Sequence, residues 1–205
     1  LDPKRSDCDY PFKELSGCGV GFKLAQAYHQ QYNLPFEDLV PLLDLVVVSI
    51  AADIVPMIDE NRVLSFYGLQ QLNTSPRIGL KALMDVASRK NSFSITDVVF
   101  SLAPRIDAAG RIEHGNKAVE LLVQQDFSIA KEKADYIDNH NFSRKELDKS
   151  ITREALAMIV QGANSTVVCN EKWHKGVVGI VASRLIETHY RPTIVLTESN
   201  GCLLY

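Results

Sequence analysis

The chain has 205 residues, 46% of them hydrophobic and 23% charged, enough to bury the core of one large domain or of one domain plus a piece of another. Its formal net charge is −3, so bulk electrostatics give no sign of a nucleic-acid partner and leave that role to local basic clusters. Four cysteines, Cys8, Cys18, Cys169 and Cys202, lack CxxC or zinc spacing, which points to reduced thiols in a cytoplasmic protein rather than to a disulfide scaffold.

The chain opens with Leu1-Asp2-Pro3-Lys4-Arg5, without an initiator methionine or a visible signal peptide, and is expected to be a piece of a longer polypeptide. Over residues 16–32, Gly17, Val20, Gly21, Leu24, Ala27 and Tyr28 fall at helical spacing; a helix is predicted, with glycines that would admit another backbone at close range. The apolar run 39–58 is broken by Asp44 and Asp53 and carries Pro41 and Pro56 near its ends, which argues against a membrane span. Val46, Val47 and Val48 favour a strand there, but the length of the run and Pro41 favour a buried helix over residues 39–54. Two more helices are expected at 61–72 and 77–88, divided by the turn cluster Asn73-Thr74-Ser75-Pro76.

Over residues 127–160, Ile129, Ala134, Ile137, Leu147, Ile151, Ala155 and Ile159 form an apolar face opposite dense charge. At ~1.5 Å per residue this helix would span roughly 50 Å, a connecting strut. Gly162 and Asn164 end it, and a βαβ unit follows: a strand at 166–168, a helix at 177–188 and a strand at 193–196.

Three segments could carry chemistry. Ser49-Ile50-Ala51-Ala52-Asp53-Ile54-Val55-Pro56 sets a carboxylate in an apolar run, where stripping its water is costly unless a cation or several donors replace it. Two readings of Asp53 stay open from spacing alone: a metal ligand, or a helix cap or arginine partner. Ala103-Pro104-Arg105-Ile106-Asp107-Ala108-Ala109-Gly110-Arg111 reads as a loop of small residues, with two guanidinium forks suited to phosphate; the arginines could equally pair with Asp107 and Glu113. Trp173-His174-Lys175-Gly176-Val177-Val178-Gly179-Ile180-Val181-Ala182-Ser183-Arg184 lies at a strand-to-helix junction that could receive a phosphate, with His174, Lys175 and Arg184 as donors. It has no full GxGxxG and no Walker lysine, so packing glycines are the competing account. His29, His114, His140 and His189 are isolated, and Lys131, Lys133, Arg144, Lys145 and Lys149 lie among acids on a solvated helix face.

In this order the motifs resemble the RecJ family, the single-strand-specific exonucleases of the DHH phosphoesterase superfamily. The resemblance runs from Leu1 to about Gly201 and includes Phe12-Lys13-Glu14-Leu15-Ser16-Gly17-Cys18-Gly19-Val20 and Glu60-Asn61-Arg62 beside the segments above. It implies an α/β fold: the helix-rich C-terminal part of a DHH phosphoesterase domain (1–125), a long connecting helix (126–162) and the βαβ start of a DHH-associated domain (163–205). It implies a metal-dependent 5′-to-3′ single-stranded DNA exonuclease of repair and recombination using two Mn²⁺ or Mg²⁺ ions, with single-stranded DNA as partner and no membrane. By the resemblance Asp53 is a metal-binding catalytic residue, Arg105 and Arg111 contact DNA phosphates, and His174 and Arg184 line the associated-domain side.

The family's earlier aspartate motifs and its Asp-His-His motif have no counterpart in the chain, so most metal ligands are expected outside it and the chain alone is expected to be inactive. Asp107 stands where the family has asparagine, and Gly201-Cys202-Leu203-Leu204-Tyr205 does not supply the family's glycine-serine-arginine phosphate motif. Competing readings are a small-oligonucleotide or cyclic-dinucleotide DHH phosphodiesterase, against which the arginine segment argues, and a catalytically dead DNA-binding scaffold.

Overall fold

Ser16 starts the first helix, α1 (Gly17–Gln31), by accepting the Gly19 N–H on its hydroxyl at 3.2 Å. A 3₁₀ segment, Phe36–Leu42, absorbs Pro41 and leads into α2 (Leu43–Ala52). Leu43, Asp44, Val46, Val47, Val48, Ile50 and Ala51 of α2 are all buried, so its three successive valines are helical because the segment is packed on nearly every side. The computed structural model describes residues 1–87, 92–112 and 115–205.

α3 (Asp59–Thr74) lies against α2 at Gly68, where a β-carbon would come within 2.7 Å of the Leu43 carbonyl and of the Val47 side chain. α4 (Ile78–Ala87) meets Leu121 at Gly79 in the same way. Close approach therefore belongs to Gly68 and Gly79. The glycines predicted for it in α1 do not serve it: Gly17 and Gly21 face open space, and Gly19 touches only Leu15 and Ser16 beside it in the chain.

A Ser94–Asp97 capping box opens the short α5 (Ile95–Asp97), which continues through a π-helical stretch, Val98–Leu102, into α6 (Ala103–Ile112). The arginine segment is thus helix, a correction to the loop expected from its small residues. Alanine is the best helix former, Pro104 falls just after the π-helical stretch, and Gly110 lies close to the end. Ser88, Glu113 and His114 lie outside the described residues. α7 (Asn116–Leu122) and α8 (Phe127–Ala157) follow.

At ~1.5 Å per residue the 31-residue α8 is about 46 Å long, close to the length its sequence predicted. Its buried positions are Ala130, Ala134, Ile137, Asn141, Asp148, Ile151 and Ala155, whereas Ile129 and Leu147 are 45% and 37% exposed. After α8, β1 (Thr166–Cys169), α9 (Val178–Thr188) and β2 (Thr193–Ser199) form a βαβ unit, with β1 parallel to β2 and Thr166 opposite Thr193. β3 (Cys202–Leu204) adds antiparallel to β2 through an Asn200-Gly201 turn with φ of 54° and 74°.

The helix-rich α/β class with a small C-terminal sheet is as read from the sequence. The chain divides into two compact units, Leu1–Asp107 with Gly115–Asp138, and Ala108–His114 with Asn139–Tyr205. The first has a core that includes Phe12, Phe22, Leu39, Val46 and Ile50. The second is built on Ile151, Ala155, Val168, Trp173, Val181, Leu185 and Val195. Among the described residues no helix is long and apolar enough to cross a membrane.

Candidate metal ligand and phosphate-binding residues

Asp53 caps the C-terminus of α2 and is exposed, so it is not the buried carboxylate its apolar run suggested. That carboxylate is Asp44, which is fully buried and accepts the Arg77 backbone N–H at 2.9 Å and the Arg77 guanidinium at 2.9 Å. Nor does Asp53 cap the following helix, whose N-cap is Ile58.

The Ser49 hydroxyl donates to Asp53 Oδ2 at 3.3 Å and accepts the Cys18 N–H at 3.3 Å, linking the carboxylate to the first turn of α1. Directly after Asp53 the chain turns through Ile54 at φ 51°, a left-handed conformation that costs a β-branched residue roughly 1–2 kcal/mol. Pro56 restricts Val55 to extended backbone. The buried Asn61 holds the turn by donating from Nδ2 to the Pro56 carbonyl at 3.0 Å and to the Glu14 carbonyl at 2.7 Å. Ser49 and Asn61 went unnoticed as supports of Asp53; the i−4 spacing of Ser49 was the only signal available for it.

Beside this turn Glu60 accepts the Tyr10 hydroxyl at 2.7 Å and pairs with Lys23 at 3.0 Å. Burial, and then the Glu60 bond, push the Tyr10 phenol above its ordinary value. Burial pulls the Lys23 ammonium down, but the bond and charge of Glu60 outweigh it and hold it above its ordinary value.

The two arginines of α6 lie six positions apart, which at ~100° per residue puts them on faces about 120° from each other. Arg105, in the first unit, is mostly buried; its Nε donates to Asp138 Oδ1 at 2.7 Å and its Nη1 to the Ser101 carbonyl at 2.6 Å. Its carboxylate partner Asp138 lies on α8. Arg111 belongs to the second unit, where its Nη1 reaches the Gly176 carbonyl at 3.5 Å. The structure therefore brings Arg111 to the His174–Gly176 turn. Arg184, on α9, donates from Nη2 at 2.7 Å to Asp148, a buried carboxylate on α8 that also accepts from Thr152.

Among the described residues no group of three or more His, Cys, Asp or Glu is placed to hold a metal ion. Asp53 offers one hard oxygen ligand, which suits Mn²⁺ or Mg²⁺ as one member of a larger ligand set.

No family model matches the chain. Comparison with individual proteins is decisive: it is 44% identical over 200 residues to the single-stranded-DNA-specific exonuclease RecJ of Bacillus subtilis, a match covering 96% of the chain. The chain shares RecJ homology along nearly its whole length. The Escherichia coli RecJ is 34% identical over 217 residues, covering 97% of the chain. A crystal structure of Thermus thermophilus RecJ in complex with Mg²⁺ superposes with a TM-score of 0.84 at 32% identity, covering 92% of the chain, and a structure of RecJ bound to manganese gives the same TM-score. The chain spans 25% of the Bacillus subtilis RecJ, 38% of the Escherichia coli RecJ and 30% of the Mg²⁺-bound RecJ chain.

Proposed function

We propose that the chain is part of a metal-dependent 5′-to-3′ single-stranded DNA exonuclease. In this reading residues 1–125 are the C-terminal part of a DHH catalytic domain, 126–162 the connecting helix and 163–205 the start of the DHH-associated domain. The observation that carries it is RecJ homology extending through every motif segment. The exposed, serine-braced carboxylate of Asp53 agrees with it.

Asp53 would hold one of two Mn²⁺ or Mg²⁺ ions; such a pair supplies an activated water and neutralises charge on the scissile phosphate. Ser49 orients the carboxylate, and the Asn61-braced turn keeps it facing outward. Arg111 and His174 would bind DNA phosphate. Arg105 and Arg184 would do so with part of their forks, since each already bonds a carboxylate on α8.

The test uses the full-length protein and single-stranded DNA labelled at either end, with Mn²⁺ added or chelated. Mn²⁺-dependent loss of the 5′ label first, abolished by Asp53→Asn with the melting temperature unchanged, is the expected result. Digestion from the 3′ end would defeat the polarity, and full activity in Asp53→Asn would remove the metal role.

A further inference from the structure

The turn carrying His174 is fastened from several sides within the second unit. The Trp173 indole N–H donates to Glu154 on α8 at 2.9 Å, and the buried Thr197 hydroxyl on β2 donates to the Trp173 carbonyl at 2.6 Å. The Trp173 backbone N–H donates to the Asn170 carbonyl at 3.2 Å. On the α6 side a β-carbon at Gly176 would overlap the Arg111 carbonyl and come within 3.2 Å of the His174 ring. Backbone meets backbone there at a spacing only glycine allows.

The Gly176 N–H donates to His174 Nδ1 at 3.1 Å. A backbone N–H can only donate, so Nδ1 is the bare nitrogen and the proton of the neutral ring resides on Nε2. We propose that His174 meets a substrate phosphate as a neutral Nε2–H donor, locked in that tautomer by the Gly176 N–H, and that Gly176 is the positioning residue seating both His174 and Arg111. The proposal rests on the phosphate-binding reading of those two residues.

The ligand class is a phosphate mono- or diester, whose oxygens accept only. Arg111 supplies the charge and His174 a directional bond whose geometry the fastened turn fixes. Because Nε2 carries the proton, it is not available as a base, and His174 takes no proton from an attacking water.

The experiment uses the full-length protein and a 5′-phosphorylated oligothymidylate in EDTA, so that binding is read without cleavage. Asparagine keeps an acceptor near the Nδ1 position and lacks the far donor; glutamine places an amide N–H near Nε2. His174→Asn is expected to weaken binding about tenfold, the loss of one bond to a charged acceptor, while His174→Gln stays within about threefold. In ¹⁵N-histidine-labelled protein, His174 is expected to show a bare Nδ1 and a protonated Nε2. Gly176→Ala should alter that signal and weaken binding, and adding His174→Asn to it should cost less than in the wild type.

A proton on Nδ1, or His174→Asn binding as tightly as the wild type, overturns the proposal even if Gly176→Ala fails to fold. Failure of the wild type itself to bind the oligonucleotide overturns the phosphate reading beneath it.

Discussion

Asp44 is accommodated inside α2 because Arg77 replaces its lost water with a backbone N–H and a guanidinium, both at 2.9 Å. Asp53, just past the end of the same helix, has solvent and the Ser49 hydroxyl instead. Removing one partner of a buried pair strands the other, so Asp44→Ala should cost about 3–5 kcal/mol in urea unfolding of the full-length protein. Asp53→Ala should change stability by less than about 0.5 kcal/mol and abolish Mn²⁺-dependent hydrolysis. The apolar run suggested a buried carboxylate at Asp53, and the buried one is Asp44. A carboxylate in an apolar run is a signal of desolvation only if it falls on the inward phase of the helix, and that phase depends on where the helix stops. Asn61, in the Glu60-Asn61-Arg62 segment, ties two carbonyls from different segments, a link between distant positions that no local spacing encodes. Asn61→Ala leaves both carbonyls without that donor and should cost about 2–3 kcal/mol, read from the same urea midpoints.

Among the elements, α1 to α4, α8 and the βαβ unit were legible because their apolar periods are local properties of the chain, whereas the small residues of α6 suggested a loop. The inward face of α8 was less legible: Asn141 and Asp148 are buried in it, and Asp148 is met there by Arg184 on α9 and by Thr152. β3 has a local signal of its own, the Asn200-Gly201 pair that favours a two-residue hairpin. Which glycines separate helices also required the partner helix. Gly68→Ala should destabilise by about 1–3 kcal/mol because Leu43 and Val47 must move, whereas Gly21→Ala, in open space on α1, should stabilise by up to about 1 kcal/mol. Thermal melts of the two variants decide it.

The Tyr10–Glu60–Lys23 cluster joins the N-terminal segment, α1 and α3, and its pH response has a definite sign. Both Tyr10 and Lys23 hold their protons more tightly folded than unfolded, so their contribution is complete below the ordinary values of 10.0 and 10.5. It is lost as pH rises through the raised folded values. Urea midpoints should therefore fall as pH rises above about 10, and fall less steeply in Glu60→Gln. An equal slope in both proteins would remove the cluster from the account.

At the scale of the whole molecule, motif order pointed to the family where no single motif could, because each segment alone also had a bland structural explanation. For the 173–184 segment that explanation is also true, since Gly176 is a packing glycine. Arg105 and Arg184 instead pair with acids on α8, and Asp53 ends α2 rather than opening the next helix. What distinguishes a binding module from a catalyst is the number of metal ligands assembled, and Asp53 supplies one where such ions take about six oxygens. The 205-residue chain by itself should therefore show no Mn²⁺-dependent hydrolysis of single-stranded DNA while retaining weak binding. Arg111 would contribute one displaced counterion to that binding. Replacing it with alanine should reduce the slope of log affinity against log salt by about 0.7 for a single strand, with the loss similar for different sequences. A slope unchanged by Arg111→Ala would place the phosphate contact elsewhere, and hydrolysis by the isolated chain would mean that Asp53 does not need the ligand set proposed for it.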